Sequence, residues 1–154
     1  MLISIPSVYA IRALAFLADQ PPGKLSGTHG IAESEDIPGP FLGKVLLQLR
    51  RGRLVRSYRG TGGGYELAAP AESIRLLSIL QCMEGPAVLK HCVLENRDCS
   101  PECPCAMHQY WLPVQTRIVD FFETNTLAEL VRARQSTPRF GEPARTRRDR
   151  VPDQ

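Results

Sequence analysis

The stretch that most constrains this chain is Gly60-Thr61-Gly62-Gly63-Gly64. Leu54–Tyr58 before it alternates in polarity, and Tyr65–Ala68 after it carries the returning apolar residues. Two short alternating runs joined by a glycine-rich tip read as a β-hairpin. A phosphate-cradling glycine loop is excluded because residues 60–64 do not join a strand to a helix. Glycine also frees the tip to approach another backbone closely. Such a hairpin needs a partner surface, because two strands alone are marginal in water.

The residues before the hairpin supply that surface. Residues 6–19 read as a helix, with Pro6 in the first turn and Val8, Ile11, Leu14, Ala15 and Ala18 forming an apolar stripe. Pro21-Pro22-Gly23 ends it. A short helix follows over 28–34, with Ser26 or Thr28 as cap. A third spans 40–51, with Phe41, Val45, Leu46 and Leu49 facing inward. Three helices and a hairpin make a winged helix-turn-helix, so the expected class is mainly α with a small β-hairpin wing (α+β). A fourth helix is expected over 73–83, burying Ile74, Leu77, Leu80 and Cys82. A long helix over 105–131 should carry Trp111, Val114, Ile118, Phe121 and Phe122 near one face, with a possible bend at Pro113.

Charge favours nucleic acid. The net charge is only +3, but Arg50, Arg51, Arg53, Arg56 and Arg59 sit within ten residues. Seven more arginines lie between Arg132 and Arg150, where apolar residues thin out and a disordered tail is expected. Arginine outnumbers lysine 16 to 3, which suits forked contacts with phosphate and guanine. Lys44, Gln48 and Arg51 share a helical face. The expected DNA contacts are Thr28, Pro40, Phe41, Lys44, Gln48, Arg51, Arg56, Ser57, Tyr58, Arg59 and Gly60. No apolar run is long enough for a membrane span, and no nucleophile–base pair marks an enzyme.

Four of five cysteines fall in Cys92–His108, at 92, 99, 103 and 105. Gathered thiolates repel one another unless a cation or a disulfide neutralises them. With no export signal the expected compartment is the reducing cytoplasm, where structural disulfides are uncommon. An iron–sulfur centre, a zinc site from Cys99, Cys103, Cys105 and His108, or a bare thiol switch are the open chemistries. The C-x3-C-x-C-x2-H spacing is not a usual zinc-finger pattern. Pro104 suits a first helical position, which would place Cys105 at a helix N-terminus that lowers its pKa, with His108 three residues on.

Particular strings carry a resemblance. Tyr9-Ala10-Ile11-Arg12-Ala13-Leu14, Gly30-Ile31-Ala32, Ile37-Pro38 with Phe41-Leu42, the wing Arg56–Ala68, Met83-Glu84-Gly85 and the cysteine loop together resemble the IscR, NsrR and RirA family of bacterial iron–sulfur regulators. The resemblance covers about residues 1–130. It implies a homodimer of winged helix-turn-helix domains joined through the long helix. It implies cluster ligation by Cys92, Cys99, Cys105 and His108, with a 2Fe–2S centre favoured and 4Fe–4S possible. Cys103 is extra. Val8 stands where some members carry an acidic ligand, and Gly43 where IscR carries an acidic base-reading residue.

The expected organisation is a DNA-binding domain over 1–85, a cluster-binding loop over 86–108, a dimerisation helix over 105–133 and a basic tail over 134–154. The expected function is a repressor that binds a double-stranded DNA operator under control of a cluster sensing iron or cluster supply, nitric oxide or redox state. A zinc-stapled or thiol-switch regulator is the alternative.

Overall fold

The computed structural model describes residues 3–135 apart from 93, 95 and 96. Helix α1 spans Ile5–Ala18. Ser4 caps it, its Oγ accepting from the Ser7 N–H at 3.3 Å, and Pro6 occupies the first turn. Its buried residues include Ala10, Ala13, Leu14, Ala15 and Leu17, small enough to let neighbours come close. α1 touches four other helices and the hairpin, and so forms the hub of the fold.

Helix α2 spans Thr28–Glu35. Its N-cap is Gly27 and no side chain caps it, so neither Ser26 nor Thr28 takes the expected role. Ser26 is instead drawn into backbone pairing with Tyr65, at 3.0 and 2.9 Å. A left-handed Asp36 ends α2, and helix α3 follows over Gly39–Arg51. Leu42, Val45, Leu46 and Leu49 bury its inner face. Phe41, expected inward, is 56% exposed. Leu42 leads the set spaced three and four apart, which leaves Phe41 more than a quarter-turn off the core.

Strands β1 (Val55–Tyr58) and β2 (Gly64–Leu67) pair antiparallel, with Val55 opposite Leu67 and Tyr58 opposite Gly64. The hairpin tip is packed rather than loose. A Cβ on Gly63 would lie 2.3 Å from the Tyr58 carbonyl oxygen, and one on Gly64 2.7 Å from that of Ser26. Glycine is required there by the chain's own backbone, not only by an approaching ligand.

A 3-10 turn at Ala71–Ser73 leads to helix α4, Leu76–Glu84, which starts three residues later than expected. Ile74, Ile79 and Leu80 are buried, while Leu77 and Cys82 are only half-buried. Burial pushes the Cys82 thiol pKa up, against a backbone hydrogen bond that lowers it.

The expected long helix is two helices. α5 spans His108–Thr124 and α6 spans Leu127–Gln135. Asn125 is extended, with φ −87° and ψ 136°. The break is held from both sides: Leu76 N donates to Asn125 O at 3.0 Å and Leu127 N to Ile74 O at 2.8 Å. Thr126 and Glu129 then form a reciprocal cap, the Glu129 carboxylate accepting from Thr126 N at 2.7 Å. α6 turns back onto α1, burying Leu127, Ala128 and Val131.

Pro113 sits inside α5 without ending it. The inner face of α5 is Trp111, Gln115, Ile118 and Phe122, packed towards α4. Val114 and Phe121, expected on that face, are 47% and 54% exposed. Arg134, expected in the tail, is helical in α6; the tail from residue 136 on lies outside the described residues.

One buried charge ties the layers together. Glu35, 3% exposed, meets Arg134 at 2.9 Å and Arg12 at 3.7 Å. Arg12 also donates to the Glu35 carbonyl. The same carboxylate thus joins α1, α2 and α6.

Candidate functional site

The cysteine loop runs from Gly85, where α4 ends with φ 96°, to the start of α5. Two backbone hydrogen bonds fold it back on itself: Cys92 N donates to Arg97 O and Cys99 N to Lys90 O, both at 2.8 Å. The His91 ring lies 3.1 Å from the Asp98 carboxylate. Trp111 Nε1 and Gln115 Nε2 both donate to the His91 carbonyl, at 3.4 and 3.1 Å. The loop is therefore moored to the inner face of α5, a role for Trp111 and Gln115 that composition did not signal.

The donors fall into two pairs. Cys92 Sγ lies 3.4 Å from Cys105 Sγ, and Cys99 Sγ lies 3.3 Å from His108 Nδ1. All four residues are half-buried, whereas Cys103 is exposed and lies outside both pairs. Cys105 precedes α5 rather than opening it. The first helical residue is His108, whose N–H donates to Cys105 O at 3.0 Å. The expected help to the Cys105 thiolate from a helix terminus is corrected accordingly. A turn, not a shared helical face, brings residues 105 and 108 together.

Desolvation pushes the Cys99 thiol pKa up, and the neighbouring Cys92 and Cys105 thiols push it further; Arg97 opposes them. The Cys99 thiolate is thus unfavourable without a cation. Among the described residues no three His, Cys, Asp or Glu side chains are arranged to hold a single metal ion. Four donors meeting as two neighbouring pairs fit a centre with more than one metal, because a 2Fe–2S cluster takes its protein ligands on two irons.

The second candidate surface is basic. The solvent side of α3 carries Pro40, Phe41, Gly43, Lys44, Leu47, Arg50 and Arg51. Gln48, expected on that face, turns instead to α4, its amide donating to the Cys82 and Met83 carbonyls at 2.9 and 3.1 Å. Its polar group is occupied within the fold. On the wing, Arg50 reaches Ser57 Oγ at 3.2 Å, and Arg56 lies 3.8 Å from Glu66. The Tyr58 hydroxyl donates to Glu66 at 2.8 Å, and that acceptor raises its pKa. Arg59 and Gly60 are exposed at the tip, and Gly60 has φ 98°. Thr28 is half-buried in the first turn of α2. His29 is exposed and 3.9 Å from Glu33. The exposed Leu47 was missed from sequence because an apolar residue is read as core by default.

A helix-turn-helix followed by a basic hairpin wing defines a winged helix-turn-helix transcriptional regulator, not an enzyme. The chain belongs to the Rrf2 family, described as an iron-dependent transcriptional regulator, which it matches over residues 3–133. It is 35% identical to the candidate HTH-type regulator Rv1287 of Mycobacterium tuberculosis, over 84% of this chain and 81% of the relative. It is 32% identical to the regulator IscR of Vibrio campbellii, over 80% and 73%. Among solved structures it resembles the global cysteine regulator CymR of B. subtilis, with TM-score 0.72, 25% identity, and 85% and 96% of the two chains covered. It also resembles T. potens IscR, with TM-score 0.69, 26% identity, and 87% and 89% covered.

Proposed function

We propose that the chain is a cytoplasmic, homodimeric, DNA-binding repressor whose affinity for its operator is set by an iron–sulfur cluster, 2Fe–2S by preference, held by Cys92, Cys99, Cys105 and His108. The observation that carries this reading is the pairing of Cys92 with Cys105 and of Cys99 with His108. A bound cluster supplies a centre whose charge and integrity change with iron supply, nitric oxide or oxidant.

The protein's own residues do the rest. Trp111 and Gln115 moor the loop to α5 through the His91 carbonyl. Holding the four donors in place fixes the loop against the start of α5. α5 offers Tyr110, Leu112, Val114 and Phe121, all exposed, to a second copy, and its angle sets the spacing of the two recognition helices. Binding to DNA changes only if the loaded and empty states differ in free energy on the operator.

Visible absorption with iron and sulfide analysis of anaerobically purified protein tests the reading. A coloured protein with about two irons and two sulfides per chain is expected for the 2Fe–2S centre. A colourless protein with one zinc per chain would sink it. The second reading is a thiol switch, favoured by the 3.4 Å between Cys92 Sγ and Cys105 Sγ. A metal-free protein that forms a Cys92–Cys105 disulfide under mild peroxide, with a change in DNA affinity, would select it.

A further inference from the structure

The recognition helix of a helix-turn-helix reads base edges with the residues of its first turns. In α3 the exposed residues there are Pro40, Phe41, Gly43, Lys44 and Leu47. Pro40 has no N–H to give, and Gly43 has no side chain. Phe41 is 56% and Leu47 41% exposed, although neither position is needed by the core. Gln48, the side-chain amide of this helix, is bonded to α4. Lys44 is therefore the lone polar group on the base-reaching part of the helix. Beyond one lysine contact to guanine, the arginine and amide contacts that read guanine and adenine have no side chain here to make them.

The major groove offers an apolar group of its own, the 5-methyl of thymine. Arg50, Arg51, Arg53, Arg56 and Arg59, all exposed, follow the apolar positions from the end of α3 to the wing tip, a run of positive charge that fits a phosphate-lined groove better than an apolar protein partner. Gly43 lies on the same exposed side of α3. Glycine within a helix is destabilising relative to alanine. At Gly43, as at Gly30 and Gly39, a Cβ would meet nothing of the chain within 4 Å. A bare backbone at 43, on the exposed side of α3, permits a close approach from outside the chain.

We infer that α3 reads its operator chiefly through thymine methyl groups packed against Phe41 and Leu47, with the Gly43 backbone set close to the groove floor and Lys44 contacting one adjacent guanine. The inference rests on the DNA-binding reading and specifies its ligand.

The test starts with selection of tight-binding duplexes from a random library by the full-length protein, prepared anaerobically both with and without iron. In the best duplex each thymine is then replaced by uracil, which removes only the methyl. At two or more positions per half-site the affinity should fall about fourfold, the worth of one buried methylene. Phe41→Ala and Leu47→Ala should each erase that difference at one of these positions, so that thymine and uracil duplexes bind alike. Gly43→Ala should melt at the same or a higher temperature than the parent yet bind the duplex more weakly. Equal affinity for thymine and uracil duplexes at every position would overturn the inference while leaving DNA binding intact. So would undiminished discrimination in both variants, or selection that retains DNA without enriching any sequence. Failure to retain any DNA in either iron state would overturn the DNA-binding reading and the inference with it.

Discussion

Replacing Glu35 by glutamine should weaken the whole fold, although the residue touches neither the cysteine loop nor the face of α3. Its carboxylate is 3% exposed and lies between Arg134 at 2.9 Å and Arg12 at 3.7 Å. Removing one member of a buried ion group commonly costs about 3–5 kcal/mol, because the remaining charge stays desolvated. The Arg12 and Arg134 side chains keep 17% and 16% of their surface, so some hydration persists and the cost falls below that range, to about 2–3 kcal/mol. A gain opposes it. Glu35 is the last residue of α2, where a negative charge meets the carbonyl end of the helix, and removing it returns about 0.3–1 kcal/mol. The net expectation is a loss of about 2 kcal/mol. With a urea slope of about 2 kcal/mol/M, the unfolding midpoint should drop by about 1 M. A cycle with Arg134→Met should show a coupling of about 1–2 kcal/mol, since the two side chains are in direct contact. A midpoint shift below about 0.3 M, or no coupling, would refute the view that this carboxylate binds α6 to the DNA-binding half.

Further outcomes follow from other contacts. Arg59→Ala at the wing tip should weaken DNA binding and reduce the slope of log affinity against log salt by about 1, measured by fluorescence anisotropy over a salt series. Cys99→Ser should lose the visible absorption of the anaerobic protein, and Cys103→Ser, which lies outside both donor pairs, should keep it. Gly64→Ala should lower the melting temperature and loosen the wing, because its Cβ would sit 2.7 Å from the Ser26 carbonyl oxygen; an unchanged Tm would be contrary. For Glu84, burial pushes the carboxyl pKa up, but hydrogen bonds from Ser7 and Ser4 outweigh this and hold it below its ordinary 4.5. A depressed folded pKa gives stability that is complete above 4.5 and is lost as pH falls through the folded value. Glu84→Gln should therefore cost a few tenths of a kcal/mol at neutral pH, after screening of this exposed group, and nothing once the parent is protonated.

The elements were legible wherever local chemistry and packing agree. The spacing of Val45, Leu46 and Leu49, the Pro6 start of α1 and the glycine-rich turn each produce the element they suggest. The errors fall where a distant segment decides. Thr126 and Glu129 spell a capping box that marks a helix start, yet the apolar periodicity through residues 118–131 masks it. What forces the break is backbone pairing with residues 74 and 76, some fifty positions away. Ser26 reads as a cap but is claimed by Tyr65, and Gln48 reads as surface but is claimed by α4. At the cysteine loop spacing alone left several donor sets open, and the family resemblance singled out Cys92, Cys99, Cys105 and His108, the half-buried ones. Their partition into 92 with 105 and 99 with 108 goes with the backbone bonds of Cys92 to Arg97 and of Cys99 to Lys90, which spacing alone does not encode.

The return of α6 onto α1 makes the DNA-binding half discontinuous in sequence. Its core is completed by Leu127, Ala128 and Val131, which arrive only after the cysteine loop and α5 have been made. A ribosome releasing the chain in order therefore presents the wing and recognition helix before the layer that covers α1 exists. The cysteine loop emerges ahead of that last layer. A stop codon or fusion junction placed after α5 would look harmless on a linear map, but it would strip the hub helix of one of its walls.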